Sequence, residues 1–234
     1  MYLFHHTYHS PIQNLAVDEF LLKEVDHGKY PQGICRLWES TDYFVVLGLS
    51  KVASQDVHLH TCKRDSIPVL RRCSGGGTVL QGPGCFNYSY ILPLDYSDKL
   101  KNIQTTTHFI LSMVQENIRL IVNNSEQKGI SDLVVNNVKF SGNAQRRLKH
   151  SVLFHGTILY QFDLLKISTY LKEPTIQPDY RGKRSHQSFI KNIATTSDAL
   201  ISSFMDKASQ VLSSEEILIP SELLSHYRDK QIRL

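Results

Sequence analysis

The segment Arg71-Arg72-Cys73-Ser74-Gly75-Gly76-Gly77-Thr78-Val79-Leu80 gathers the residue types that hold anions. Two arginines close one apolar run, three glycines make a bend, and a β-branched run leaves it. Glycine accepts positive φ and puts no side chain in the way of an approaching group. Arginine offers a planar, permanently charged fork that fits carboxylate or phosphate. Together they describe an anion-holding loop between two strands. A glycine-rich hairpin with solvated arginines satisfies the same residues, and the segment alone leaves both readings open.

Lys139 is the second candidate. When a carboxylate attacks the α-phosphate of ATP, charge builds on the non-bridging oxygens, and a fixed ammonium stabilises that build-up more than the ground state. The plain alternative is a surface lysine on a strand. His155 lies inside an apolar run, where a satisfied core histidine is the commoner case. No cysteine follows Cys85, so the span from Lys139 to His155 offers no thiol nucleophile. Cys73 and Cys85 flank the glycine bend and read as small buried hydrophobes. The chain has no G-x-S-x-G elbow, no P-loop sequence and no dinucleotide fingerprint.

The elements that must hold these residues follow from periodicity. Tyr2 to His6 reads as a short strand, and Pro11 opens a helix with Leu15, Phe20, Leu21 and Val25 on its apolar stripe and Asp18 and Glu19 near its middle. Cys35–Glu39 and Tyr43–Leu47, joined by Ser40-Thr41-Asp42, read as paired strands. A short helix over Gln55–Lys63 precedes a strand over Ile67–Arg71, which feeds the glycine bend; strands over Thr78–Gln81 and Phe86–Leu92 follow. Lys99–Val122 is the longest helical stretch. Asn136-Asn137 between Asp132–Val135 and Val138–Ser141 marks a two-residue hairpin, because asparagine tolerates positive φ. The period of two sets Lys139 opposite Val138 and Phe140. Gly142 to His150 reads as a basic loop, Val152–Tyr160 as a strand, Asp163–Leu171 as a helix and Glu173–Ser188 as a surface loop. Thr196–Leu212, with Leu200, Phe204, Ala208 and Val211 on one face, and Pro220–Tyr227 read as closing helices.

With 234 residues, 41% hydrophobic and 21% charged, the chain fits one mixed domain over residues 1–234. The net charge of +4 does not demand nucleic acid. Four cysteines without metal or CxxC spacing fit reduced thiols in a cytoplasm. No signal peptide and no membrane-length apolar run are present.

The motifs line up, in order, with a known family. Arg71 to Val79 resembles the RRxSGGGxV signature of lipoate-protein ligases and their octanoyl- and lipoyl-transferase relatives. Lys139-Phe140-Ser141-Gly142-Asn143-Ala144-Gln145 is similar to the K-x-S/A-G-x-A-Q segment, and His155-Gly156-Thr157-Ile158-Leu159 to the HGTLL strand. Asn14-Leu15-Ala16-Val17-Asp18-Glu19 is similar to the N-M/L-A-x-D-E helix. The resemblance implies an α+β fold of the biotin/lipoate ligase catalytic-domain type, with a mixed, largely antiparallel central sheet flanked by helices. It implies that lipoate or octanoate and Mg-ATP give an acyl-adenylate and pyrophosphate. The acyl group then passes to a lysine of an apo lipoyl domain of a 2-oxoacid dehydrogenase E2 or of the glycine-cleavage H protein. It implies Lys139 as the catalytic residue beside the carboxylate and adenylate. The implied binding set is Arg71, Arg72, Ser74, Gly75, Gly76, Gly77, Thr78, Val79, Leu80, Asn87, Asp132, Gly142, His155, Gly156 and Thr157. Asp132 is implied to hold the lysine or a Mg2+ ion.

The sequence departs from the family at two places. Gln81-Gly82 stand where many ligases read His-Asp, and Gly84-Cys85 where many read Gly-Asn. Too few residues follow Asn192 for the C-terminal accessory domain of the longer ligases. Adenylation then falls to a separate accessory protein or proceeds differently. One competing reading is an ATP-independent octanoyl or lipoyl transferase, but both thiol positions of such enzymes are empty, at Val152 and in Ser125–Ser131. Another is a non-catalytic binding module built on the basic runs Arg146–Lys149 and Arg181–Arg184, which also suit steering of acidic lipoyl domains.

Overall fold

The computed structural model describes residues 1–205 and 209–234. From the N terminus come β1 (Tyr2–His5), α1 (Pro11–Asp26), β2 (Ile34–Glu39), β3 (Phe44–Leu47), α2 (Ala53–Asp56) and α3 (Leu59–Arg64). Strands β4 (Val69–Arg71) and β5 (Val79–Gln81) flank the glycine bend, and β6 (Cys85–Pro93) and α4 (Ile103–Asn117) follow. The middle of the chain is β7 (Glu126–Lys128), β8 (Asp132–Val135), β9 (Val138–Arg147) and β10 (Ser151–Leu159). After them come α5 (Leu165–Tyr170), α6 (His186–Phe189), α7 (Ser197–Met205), β11 (Gln210–Val211) and α8 (Ser221–Asp229).

The strands form two sheets. The larger runs β11-β1-β2-β6-β10-β9-β8-β7, with β1 parallel to both neighbours and the other pairs antiparallel. The smaller is β4-β3-β5. The expected mixed, largely antiparallel sheet flanked by helices is what forms. One face of the large sheet buries Leu37, Tyr88, Tyr90 and Phe154 against α4 and α7. The other buries Phe4, Ile91 and Leu153 against α1. On that second face, register aligns Phe4, Arg36, Ser89, His155 and Ala144 as one row across five strands.

Several elements differ from the sequence reading. β2 and β3 do not pair; they belong to different sheets, since the turn between them hands the chain from one to the other. The basic stretch 142–150 is mostly strand, not loop. Its polar side chains have partners that a sequence window does not contain: Gln145 donates to Ile103 O and Thr107 of α4, and Arg147 to Thr106 and Leu100 O. Helix α4 is shorter than Lys99–Val122, because the Asn102 side chain accepts from Thr105 N at 2.9 Å and caps it. The single helix expected over Gln55–Lys63 is two, α2 and α3. The polar segment 173–188 packs rather than floats. Arg181 is buried, pairs with Glu173, and sits with Arg184 over the Phe189 ring. Within Thr196–Leu212 the described helix is Ser197–Met205, Val211 is in an edge strand, and Ala208 lies outside the described residues. No helix among the described residues is long and apolar enough to cross a membrane.

Candidate functional site

The glycine bend is fixed from beneath by its own arginine. Arg72 is buried and donates from Nε to Ser74 Oγ (2.9 Å) and from one Nη to the carbonyls of Gly75 (2.6 Å) and Gly77 (2.8 Å). The other Nη has no protein partner, and Arg72 forms no ion pair among the described residues. Burial without a counter-ion pushes its guanidinium down to about 10. Nor do the N–H groups of Gly75, Gly76 and Gly77 donate to any protein group among the described residues. A positive centre and three unspent donors therefore share one bend, which is an anion cradle. Gly76 has φ +87, and a side chain on Gly48 would overlap the Gly76 carbonyl, so the two backbones cross where only glycines fit.

Arg71 does not serve this cradle. It donates to the carbonyls of Gly48, Leu49 and Lys51 at 2.8–2.9 Å and fastens the loop after β3. Thr78 donates to Asp56 at 2.5 Å, Val79 is half-buried in the small sheet, and Leu80 is in the core. Asn87 is closed in a reciprocal amide pair with Gln81 (2.7 and 3.0 Å), one of the departures from the family pattern. Gly156 faces the α4 side, where the Asn143 side chain crosses it.

Behind the cradle runs a chain of polar side chains. Ser74 Oγ lies 2.7 Å from His155 Nε2, and His155 Nδ1 lies 2.9 Å from Asp18 Oδ2. Asp18 also accepts from Ser89 (2.9 Å) and pairs with fully buried Arg36 at 2.6 Å. Burial alone would raise the Asp18 carboxyl, but Arg36 and His155 hold it below the usual range. Asn14 and Asp18 stand one helical turn apart on the buried face of α1, and Arg36 also reaches Asn14 O and Oδ1. Arg36 Nε has no hydrogen-bond partner among the described residues.

The hairpin supplies the second cation. Asn136 and Asn137 both have positive φ (54° and 61°), as a two-residue turn of this kind requires. A register shift near Leu133 and Val134 follows, so the simple alternation expected past Lys139 breaks: Phe140 and Ser141 are both buried. Lys139 Nζ pairs with Asp132 Oδ1 at 2.7 Å, and Tyr180 donates to Asp132 Oδ2 at 2.6 Å. Burial and the Asp132 charge push the Tyr180 phenol up. A Cβ on Gly142 would come 2.7 Å from Lys139 Nζ, and one on Gly76 would come 3.4 Å from the Ala144 Cβ. Gly142 and Ala144 are i and i+2 on one face of β9, about 7 Å apart. The lysine and the glycine bend therefore overhang the same strand face as neighbours.

The structure thus brings together Arg72, Ser74, Gly75, Gly76, Gly77, Asp132, Lys139, Gly142 and His155. Asp132 accepts from Lys139 through one oxygen and from Tyr180 through the other, and no group of three His, Cys, Asp or Glu that could hold an ion occurs among the described residues. All four cysteines are buried and free, and burial pushes Cys73 and Cys35 up to about 12. Sequence reasoning gave Arg36 and Tyr180 no role and noted Asp18 only as part of a helix. The available signal was a charge at a core position, since Asp18 and Arg36 fall on buried faces of α1 and β2. Tyr180, in a polar stretch, carried none.

Residues 10–213 match the family model described as the lipoyl protein ligase A/B catalytic domain. The chain is 28% identical over 207 residues to a probable lipoate-protein ligase A of Mycoplasma pneumoniae, covering 88% of this chain and 59% of that protein. It is 27% identical over 184 residues to lipoate-protein ligase LplJ of Bacillus subtilis, covering 79% and 53%. The chain thus spans little more than half the length of these relatives. Among solved structures it resembles a bi-partite lipoate protein ligase from Thermoplasma acidophilum, with a TM-score of 0.77, 24% identity and coverage of 97% and 91%. A lipoate-protein ligase A bound with ATP gives a TM-score of 0.75 at 23% identity, covering 98% and 94%. At these identities the structures speak for the fold.

Proposed function

The chain belongs to the lipoyl protein ligase A/B catalytic-domain family, and from that premise we propose that it activates lipoate or octanoate with ATP and passes the acyl group to a lysine of a lipoyl domain. In the first step a carboxylate oxygen of the acid attacks the α-phosphorus. The new O–P bond forms as the bond to the pyrophosphate oxygen breaks, and pyrophosphate leaves. In the second step the acceptor amine attacks the acyl carbonyl carbon, loses a proton and expels AMP.

One observation carries this reading: a buried guanidinium with no counter-ion among the described residues and a lysine ammonium overhang one face of β9 about two residues apart. Negative charge that grows between them in the transition state meets donors already in place, which lowers the barrier without reorganisation. Arg72 and the glycine N–H groups hold the anionic centre; Lys139 is handed from Asp132 to the charge that develops. A thioester route has no support here, because all four thiols are buried, and burial pushes Cys73, the one beside the bend, up to about 12. Magnesium would enter with the nucleotide phosphates, whose oxygens are the hard ligands it prefers. The archaeal ligase is paired with its E2 lipoyl domain, which supports an E2 lipoyl domain as acceptor, and its two-part build is in keeping with a separate polypeptide that works beside this chain.

The test supplies the purified chain with lipoate, Mg-ATP and an apo lipoyl domain and reads acceptor mass. Lipoylation that requires ATP supports the proposal. Modification from an octanoyl carrier protein without ATP overturns it in favour of the transferase.

A further inference from the structure

The five side chains Arg36, Asp18, His155, Ser74 and Arg72 form one continuous hydrogen-bonded line from strand β2 to the glycine bend. Its members come from β2, α1, β10 and the bend itself, and every link is 2.6–2.9 Å long. A carboxylate only accepts, so His155 Nδ1 carries the proton toward Asp18. Ser74 Oγ accepts from Arg72 Nε and shares one hydrogen bond with His155 Nε2. These links hold Ser74 and Arg72 in place.

The order Ser–His–Asp is also that of a nucleophilic triad, but the accessibility is wrong for one. Ser74 is fully buried at 0% exposure, and its oxygen is held between Arg72 and His155, so no carbonyl reaches it. The far end of the line is a fully buried ion pair, which apolar residues of the same volume would match in stability. What such a pair supplies is direction.

We infer that Asp18, backed by Arg36, is a positioning residue that acts through His155 and Ser74 to hold the glycine bend in its anion-binding shape. Among the described residues the hydrogen bonds of Asp18 lead to the bend through His155 and Ser74, so an effect of Asp18 on Gly75, Gly76 and Gly77 that passes along the line is lost when either link is cut. The inference rests on the ligase reading only for what the bend holds.

The test uses the full chain, backbone and 15N-histidine NMR, and calorimetry with a sulfamoyl analogue of lipoyl-adenylate. In the wild type, His155 is expected to carry a proton on Nδ1. Asp18→Asn and Ser74→Ala are each expected to shift the Gly75, Gly76 and Gly77 amide resonances. Each is expected to weaken analogue binding roughly 10- to 100-fold, the scale of a small misplacement of a binding group. The double variant is expected to be no worse than the worse single, because both cut one line. Should Asp18→Asn fail to fold, His155→Gln with Ser74→Ala carries the same cycle. Losses that simply add, an Asp18→Asn protein with unmoved glycine amides, or an acyl adduct on Ser74 each overturn the inference. A wild type that does not bind the analogue counts against the ligase reading, while the amide shifts still judge the line.

Discussion

The two cations over β9 are held in opposite ways. Arg72 is buried, has no carboxylate partner among the described residues, and is fixed by a serine and two backbone carbonyls. Lys139 is partly exposed and is paired to a carboxylate that Tyr180 holds in turn. A cation without a counter-ion in a dry place attracts an incoming anion strongly but must be pinned so that it does not relax onto something else. A cation with a counter-ion at a wetter place is cheap to keep and free to change partner. The first arrangement suits binding, and the second suits a group that acts when charge develops. The same contrast separates the carboxylates: Asp18 faces a fully buried guanidinium, Asp132 a half-open ammonium.

The strongest break in this comparison is Asp18→Asn. It leaves Arg36 charged and buried, and about 3–5 kcal/mol of folding stability is expected to be lost, read by denaturant titration. Asp132→Asn, at the wetter pair, is expected to cost under about 1 kcal/mol in the same titration. Equal losses would abolish the distinction. The pH dependence follows in sign. Asp18 is held below its unfolded value, so its contribution is complete above about pH 4 and fades as pH falls through the folded value. The stability gap between wild type and Asp18→Asn should therefore narrow in acid.

Lys139→Ala is expected to lower adenylate formation by roughly 10²–10³-fold, measured as pyrophosphate release, with little change in stability. Retained release would remove the lysine from the reaction. Gly142→Ala tests the geometry more finely. The added methyl meets the end of a flexible lysine rather than backbone, so the fold should stand while Nζ is pushed aside. Turnover is expected to fall about 100-fold or less, with melting temperature nearly unchanged. The smallest expected effect is that of Tyr180→Phe, about tenfold or less in turnover, because it frees Asp132 without touching Lys139. Loss of the whole activity there would make Tyr180 a direct participant.

Much of this site was legible because it is local. The glycine bend, the Asn-Asn hairpin and the lysine three residues after its first asparagine are written in short windows, where turn chemistry and side-chain period decide the backbone. Basic character misled at 142–150 and 173–188. Arginines read as solvated surface reach the Leu100 carbonyl, the exposed Glu173 carboxylate and the Phe189 ring. The failure of β2 to pair with β3 has the same origin, since a turn in sequence does not say which sheet each strand joins.

By itself the sequence determined the strands and helices in outline, the anion-seeking bend, the lysine hairpin and the family. Those features depend on backbone preferences and motif order over a few residues. Tertiary structure decided the partners: Ser74 meets His155 across 81 positions, His155 meets Asp18 across 137, and Tyr180 meets Asp132 across 48. Such pairs follow from strand order and register in the large sheet, which align distant rows of side chains and have no trace in any one stretch of chain.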